Sequence, residues 1–160
     1  MKTYEADSRF PEENAEQGKI AVLTTRWNSF ITDNLLTGAT KAMLRNGVPE
    51  DQIEVFRVPG AFELPVTAQR VLATQNYVGL IALGCVIRGG TPHFEYVSGG
   101  CMDGLMRVQL DSSFPVGFGV LTVDTTEQAI ERSGDDANNK GAEAALTVLE
   151  MLNLLRDISQ

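Results

Sequence analysis

The chain has 160 residues, 43% of them hydrophobic and 21% charged, which suits one soluble domain with a real core. Its formal net charge of −8 argues against nucleic acid or an anionic membrane as the main partner, because both call for a basic surface. No apolar run is long enough to span a bilayer, and one histidine with two cysteines, at unrelated spacings, makes no zinc motif.

Residues 1–18 are polar and acidic and read as a flexible tail, without the apolar core of a signal peptide; residues 19–160 read as a single domain, expected in the cytoplasm. Ile20-Ala21-Val22-Leu23-Thr24 is a buried strand by its unbroken apolar run. Residues 31–46 carry Ile31, Leu35, Ala39, Ala42 and Met43 at helical spacing, and Gly47 stands where a helix stops. Residues 53–58 alternate as a strand does, Pro59-Gly60 breaks it, and a helix follows from about Glu63 to Ala73 with Pro65 in its first turn. Residues 78–86 are the most apolar stretch and take the centre of the sheet. Thr91-Pro92 opens a long helix with Phe94, Val97, Cys101, Leu105 and Val108 on its stripe. A fourth strand spans Pro115 to Leu121, a short helix about Glu127–Arg132, and a last helix about Lys140–Ile158 that buries Ala142, Leu146, Leu149, Leu152 and Leu155. Strands joined by helical crossovers predict a three-layer α/β/α sandwich on a four-stranded parallel sheet, flavodoxin-like, with any ligand at the carboxyl ends of the strands.

That rule selects four loops. Arg88-Gly89-Gly90-Thr91-Pro92-His93 combines adjacent glycines with a helix start, so it is either an anion site at a helix dipole or an ordinary flexible turn. His93, the only histidine, carries an imidazole, the side-chain type best suited to moving protons at cellular pH, and sits where it could serve as a proton carrier or simply as a surface residue. Glu63 either accepts bonds from ligand hydroxyls or is an acid favoured at a helix start. Trp27, the only tryptophan, either stacks on a flat heterocycle or closes the core. Arg132 and Lys140 bracket a polar loop and either supply local positive charge or are solvated. Cys85 and Cys101 read as reduced, buried thiols.

Taken together, Thr25-Arg26-Trp27-Asn28, Val58-Pro59-Gly60-Ala61-Phe62-Glu63-Leu64-Pro65, the run from Ala82 through Gly90-Thr91-Pro92-His93 to Val97, Gly117-Phe118-Gly119-Val120-Leu121-Thr122, Glu127 to Arg132, and Asn139-Lys140-Gly141 resemble the lumazine synthases, over about residues 18–156. The resemblance implies condensation of 5-amino-6-(D-ribitylamino)uracil with 3,4-dihydroxy-2-butanone 4-phosphate to 6,7-dimethyl-8-ribityllumazine, without cofactor or metal. It implies that Trp27 stacks on the pyrimidine, that Ala61, Phe62 and Glu63 hold the ribityl side, and that Cys85, Val86 and Ile87 contact the pyrimidine through their backbone. It further assigns phosphate to Gly90, Thr91 and Arg132 and the proton shuttle to His93. Phe118, Arg132 and Lys140 would come from a neighbouring subunit of a homopentamer. Trp27 replaces a commoner Phe, a change seen in members that also bind riboflavin. Cys85 stands where Thr is frequent, and Asp135-Asp136 where Lys is common. The short loop 133–139 favours closure of pentamers into a sixty-subunit shell; the two aspartates oppose it, and the expectation is the free pentamer. The competing readings are another sugar-phosphate enzyme, an isomerase or lyase using the same loop, and a flavin-binding protein without chemistry.

Overall fold

The computed structural model describes residues 1–135 and 137–160. Four strands, β1 (Lys19–Thr25), β2 (Ile53–Val58), β3 (Tyr77–Ile87) and β4 (Val116–Val123), form one parallel sheet in the order β2-β1-β3-β4. The helices are α1 (Glu12–Gln17), α2 (Ser29–Arg45), α3 (Leu64–Ala73), α4 (His93–Ser112), α5 (Thr126–Glu131) and α6 (Lys140–Ile158), with short 3-10 turns at 50–52 and 61–63. The expected α/β sandwich is therefore present, each expected element displaced by no more than about two residues. None of the helices among the described residues is long and apolar enough to cross a membrane.

Alternation along the strands builds two cores. Ile20, Val22, Ile81, Leu83 and Cys85 face α2 and α6, while Ala21, Leu23, Leu80 and Ala82 face α3 and α4. β3 is buried along Tyr77–Cys85, as its unbroken apolar run required. β2 lies at the sheet edge and is half-exposed, which accounts for its mixed pattern.

The α6 stripe is rotated from the expected one. Leu149 and Leu152 are buried as expected, but the remainder of the face is Gly141, Ala144, Ala145, Val148 and Asn153, with Ala142, Leu146 and Leu155 only half-buried. The reason is a close crossing with α2: a Cβ on Gly141 would lie 2.1 Å from the Leu35 carbonyl oxygen, so small residues, not leucines, occupy the contact.

The N-terminal segment also departs from the expected tail. Phe10 is 8% exposed and belongs to the α2/α6 core. Its N–H donates to the Asn46 carbonyl at 2.7 Å, and the buried Asn153 amide donates to the carbonyls of Asp7 and Arg9 at 2.6 and 2.8 Å. Two isolated aromatics, Tyr4 and Phe10, in a polar stretch carry no periodicity, so no local pattern signals that the segment docks.

Removing the Asn153 amide deprives two part-buried backbone carbonyls of their donor. Asn153→Ala is expected to cost about 1–3 kcal/mol and to speed amide hydrogen exchange across residues 7–17 well before the strands. Uniform acceleration over the whole chain would show that this latch has no local role.

Candidate active site

The chain leaves β1 for β2 on one side and reaches β3 on the other. Between the carboxyl ends of β1 and β3 the crossovers diverge and open a crevice. A cleft of about 440 Å³ lies there, lined by Trp27, Asn28, Gly60–Glu63, Cys85–Ile87, His93, Tyr96 and Val97. The structure thus gathers Trp27, Ala61, Phe62, Glu63, Cys85, Val86, Ile87 and His93 in one place. Gly90 and Thr91 sit on the exposed link between Ile87 and His93. Phe118, Arg132 and Lys140 do not reach the cleft: they line a separate groove of about 810 Å³ along β4, α4 and α6.

The first loop is stitched to its neighbours. Arg26 and Trp27 donate their N–H groups to the carbonyls of Val58 and Pro59 at 2.8 and 3.1 Å. The Trp27 indole is 63% exposed, so it does not close the core. It rests on bare backbone instead: a Cβ added to Gly60 would lie 2.3 Å from the ring. Glu63 turns back to accept the Gly60 N–H at 3.0 Å, which fixes the 61–63 turn beneath that ring. The acid-at-a-helix-start role is therefore filled by one of its oxygens. Phe62 is also exposed and lies against Gly100 of α4.

On the third loop, α4 begins at His93, one residue later than expected, and the His93 N–H points at the Thr91 hydroxyl, 3.4 Å away. Arg88 is not free to meet an anion. It pairs with Glu95 and, at 2.8 Å, with Asp124, while its guanidinium lies 4.2 Å from the Phe94 ring centre. These carboxylates push the Arg88 pKa further up, and Arg88 holds the Glu95 carboxyl below its usual range. All three side chains are solvent-exposed, so the clasp sets the loop's geometry more than its stability. A Cβ on Gly89 or Gly90 would meet nothing within 4 Å. Nothing among the described residues requires glycine at either place; the space they leave opens outward.

Burial pushes the Cys85 thiol up to about 11 and Cys101 up to about 12, so neither is a thiolate nucleophile near neutral pH. In the separate groove, Arg132 donates to the Gln128 carbonyl at 3.0 Å, and Lys140 pairs with Glu143 at 2.6 Å. The Lys140 N–H donates to the Arg132 carbonyl at 2.9 Å, so the two cations are held as one unit. Thr25, Asn28, Tyr96 and Val97 also line the cleft, although the sequence assigned none of them a site role and placed Val97 only on the apolar stripe of the helix. The available signal for Tyr96 and Val97 was their spacing, one helical turn beyond His93.

Gly60→Ala should tilt the indole off its seat. The expected outcome is a changed emission maximum from Trp27, the only tryptophan, in a protein that still melts cooperatively. Emission identical to the parent protein would show that the ring is not seated on Gly60.

The family model of 6,7-dimethyl-8-ribityllumazine synthase matches residues 17–156. The match runs from the last residue of α1 almost to the end of α6, and so contains every strand, the whole cleft and the separate groove. The chain belongs to the 6,7-dimethyl-8-ribityllumazine synthase family.

Proposed function

We propose that the cleft at the β1/β3 switch point is where this enzyme of riboflavin biosynthesis carries out its family's condensation, joining 5-amino-6-(D-ribitylamino)uracil to 3,4-dihydroxy-2-butanone 4-phosphate. The observation that carries this reading is the exposed indole of Trp27, held over a concave site whose opposite wall is the end of β3. A flat pyrimidine fits between ring and strand end: Trp27 stacks on it, the backbone of Cys85, Val86 and Ile87 reads its edge, and Ala61, Phe62 and Glu63 receive the ribityl chain. The pyrimidine amine attacks the ketone, and loss of water gives an imine. Phosphate then leaves, the resulting enol becomes a ketone, and the ribitylamino nitrogen closes the second ring with loss of a second water. His93 moves protons in these steps. Positioning dominates the rate, because imine formation between such partners is chemically easy.

The phosphate requires a cation, and the cleft is lined by neither Lys nor Arg among the described residues. This supports a site completed in trans. Gly90 and Thr91 present backbone to the phosphate, while a neighbouring copy brings Phe118, Arg132 and Lys140 from its groove. A cyclic head-to-tail homopentamer provides that arrangement. Exposed Met102, Met106 and Leu110, spaced four residues apart on α4 with Leu110 at the groove itself, supply an apolar face for such contact. For assembly beyond the pentamer, Asp135 bears on the outcome less than its charge suggests, since it pairs with Lys41 at 3.0 Å; Asp136 lies outside the described residues.

Trp27 favours a second ligand, riboflavin, because a wide, exposed indole stacks on a tricyclic ring, at about 0.5–1.5 kcal/mol beyond buried area. Titration with riboflavin should quench Trp27 fluorescence; undiminished emission at high riboflavin removes this reading.

Mixing the protein with both substrates should generate the fluorescent lumazine, and His93→Ala should slow this by roughly 10–100-fold, at or below the lower end of the range for general acid–base help. A folded but wholly inactive variant would show that proton transfer, not positioning, carries the rate. Arg132→Ala should raise the KM for the sugar phosphate and leave that for the pyrimidine nearly unchanged, in a protein still of pentameric mass by light scattering. A raised pyrimidine KM with the sugar phosphate unaffected would reverse the phosphate assignment.

A further inference from the structure

Asn28 has a backbone that its position in the fold does not call for. Three non-glycine residues among those described have positive φ: Asn28, Gln75 and Ser113. Gln75 and Ser113 follow the carboxyl ends of α3 and α4, where a left-handed residue is a common way to stop a helix. Asn28, at φ 59° and ψ 43°, opens α2 instead, where extended backbone and a capping side chain are usual. Its side chain makes no cap bond to α2. Only its backbone serves the helix, the Asn28 carbonyl accepting from Ile31 and Thr32 at 2.9 and 3.0 Å. The side chain crosses the switch point, and the amide donates to the Cys85 carbonyl at 2.9 Å.

The strand register explains why that carbonyl needs a donor. β1 pairs with β3 only as far as Thr24 opposite Leu83, whereas β3 stays paired with β4 as far as Ile87 opposite Val123. The β1-facing edge of Cys85–Ile87 has therefore outrun its partner strand. The Asn28 amide takes the first vacated ladder position and leaves the rest of the edge to the cleft. Since Trp27 directly precedes Asn28, and its own N–H is tied to Pro59, the same bond fixes the distance between the indole and the end of β3. We propose that Asn28 is a positioning residue that sets the width of the slot between Trp27 and the free edge of β3, and so governs recognition of the flat heterocycle while leaving the phosphate end untouched. This rests on the assignment of the cleft to the pyrimidine.

Two variants separate side chain from backbone. Asn28→Gly keeps the left-handed turn available and deletes the amide. Asn28→Asp keeps the shape but sets a carboxylate oxygen against the Cys85 carbonyl oxygen. Both should raise the pyrimidine KM, Asn28→Gly by about tenfold, the size of one lost hydrogen bond, and Asn28→Asp by more. The KM for the sugar phosphate should stay within about twofold, and Trp27 emission should shift in both. Trp27→Ala is the control for the site itself. If Trp27→Ala raises the pyrimidine KM while neither Asn28 variant changes it or the emission, the positioning role is overturned and the cleft reading stands. Equal rises in both KM values would mark Asn28 as merely structural and also overturn the proposal. If Trp27→Ala leaves the pyrimidine KM unchanged, the cleft reading falls and the proposal falls with it.

Discussion

At the carboxyl ends of the strands the decisive feature is that β3 is longer than β1. A central strand inside a parallel sheet has both edges paired, and β3 satisfies that rule through Leu83 on its β1 side. Beyond Leu83 the chain of β1 has turned away into α2, while β3 continues against β4 to Ile87. Unpaired backbone in a largely buried place must find partners. Asn28 supplies one of them, and the cleft is the space left by the others. The seat of Trp27 on Gly60 and the return of Glu63 to the Gly60 N–H close the opposite wall. The site is thus less a set of side chains added to a sandwich than the consequence of one strand outrunning another.

Charge is distributed with equal economy. A chain of net charge −8 must concentrate whatever cations its phosphorylated substrate needs. Arg88, nearest the glycine pair in sequence, is taken up by Glu95, Asp124 and the Phe94 ring. Arg132 and Lys140 lie in another groove, joined by a backbone bond. Asn139 holds this corner in place. Its side-chain Nδ2 shares its two hydrogens among the carbonyls of Asn34, Ser133 and Gly134, and its Oδ1 accepts the Ala142 N–H, which caps α6. One asparagine thereby ties α2, the polar loop and the start of α6 together. The proposed sharing of sites between subunits follows from this separation of cations and cleft, and it turns a feature that is puzzling in one chain into a reason for assembly.

The order of the elements and the loops that line the cleft were legible in the sequence because they rest on local rules. Apolar runs and helical periodicity mark strands and helices, Pro59-Gly60 and Gly89-Gly90 mark their ends, and a parallel sheet places ligands at strand ends wherever it occurs. The sequence by itself therefore determined the sandwich, the central position of β3 and the neighbourhood of Trp27, Phe62, Glu63, Cys85 and His93. Only the tertiary structure decided what depends on long-range register and close approach. Phe10 docks because Asn153, on the last helix, offers its amide to the start of the chain. α6 turns Gly141, Ala145 and Val148 inward because it crosses α2 too closely for leucine. Asn28 bridges to Cys85 because β3 extends past β1. Each of these pairs residues far apart in the chain, and no local pattern records which distant backbone will be left without a partner.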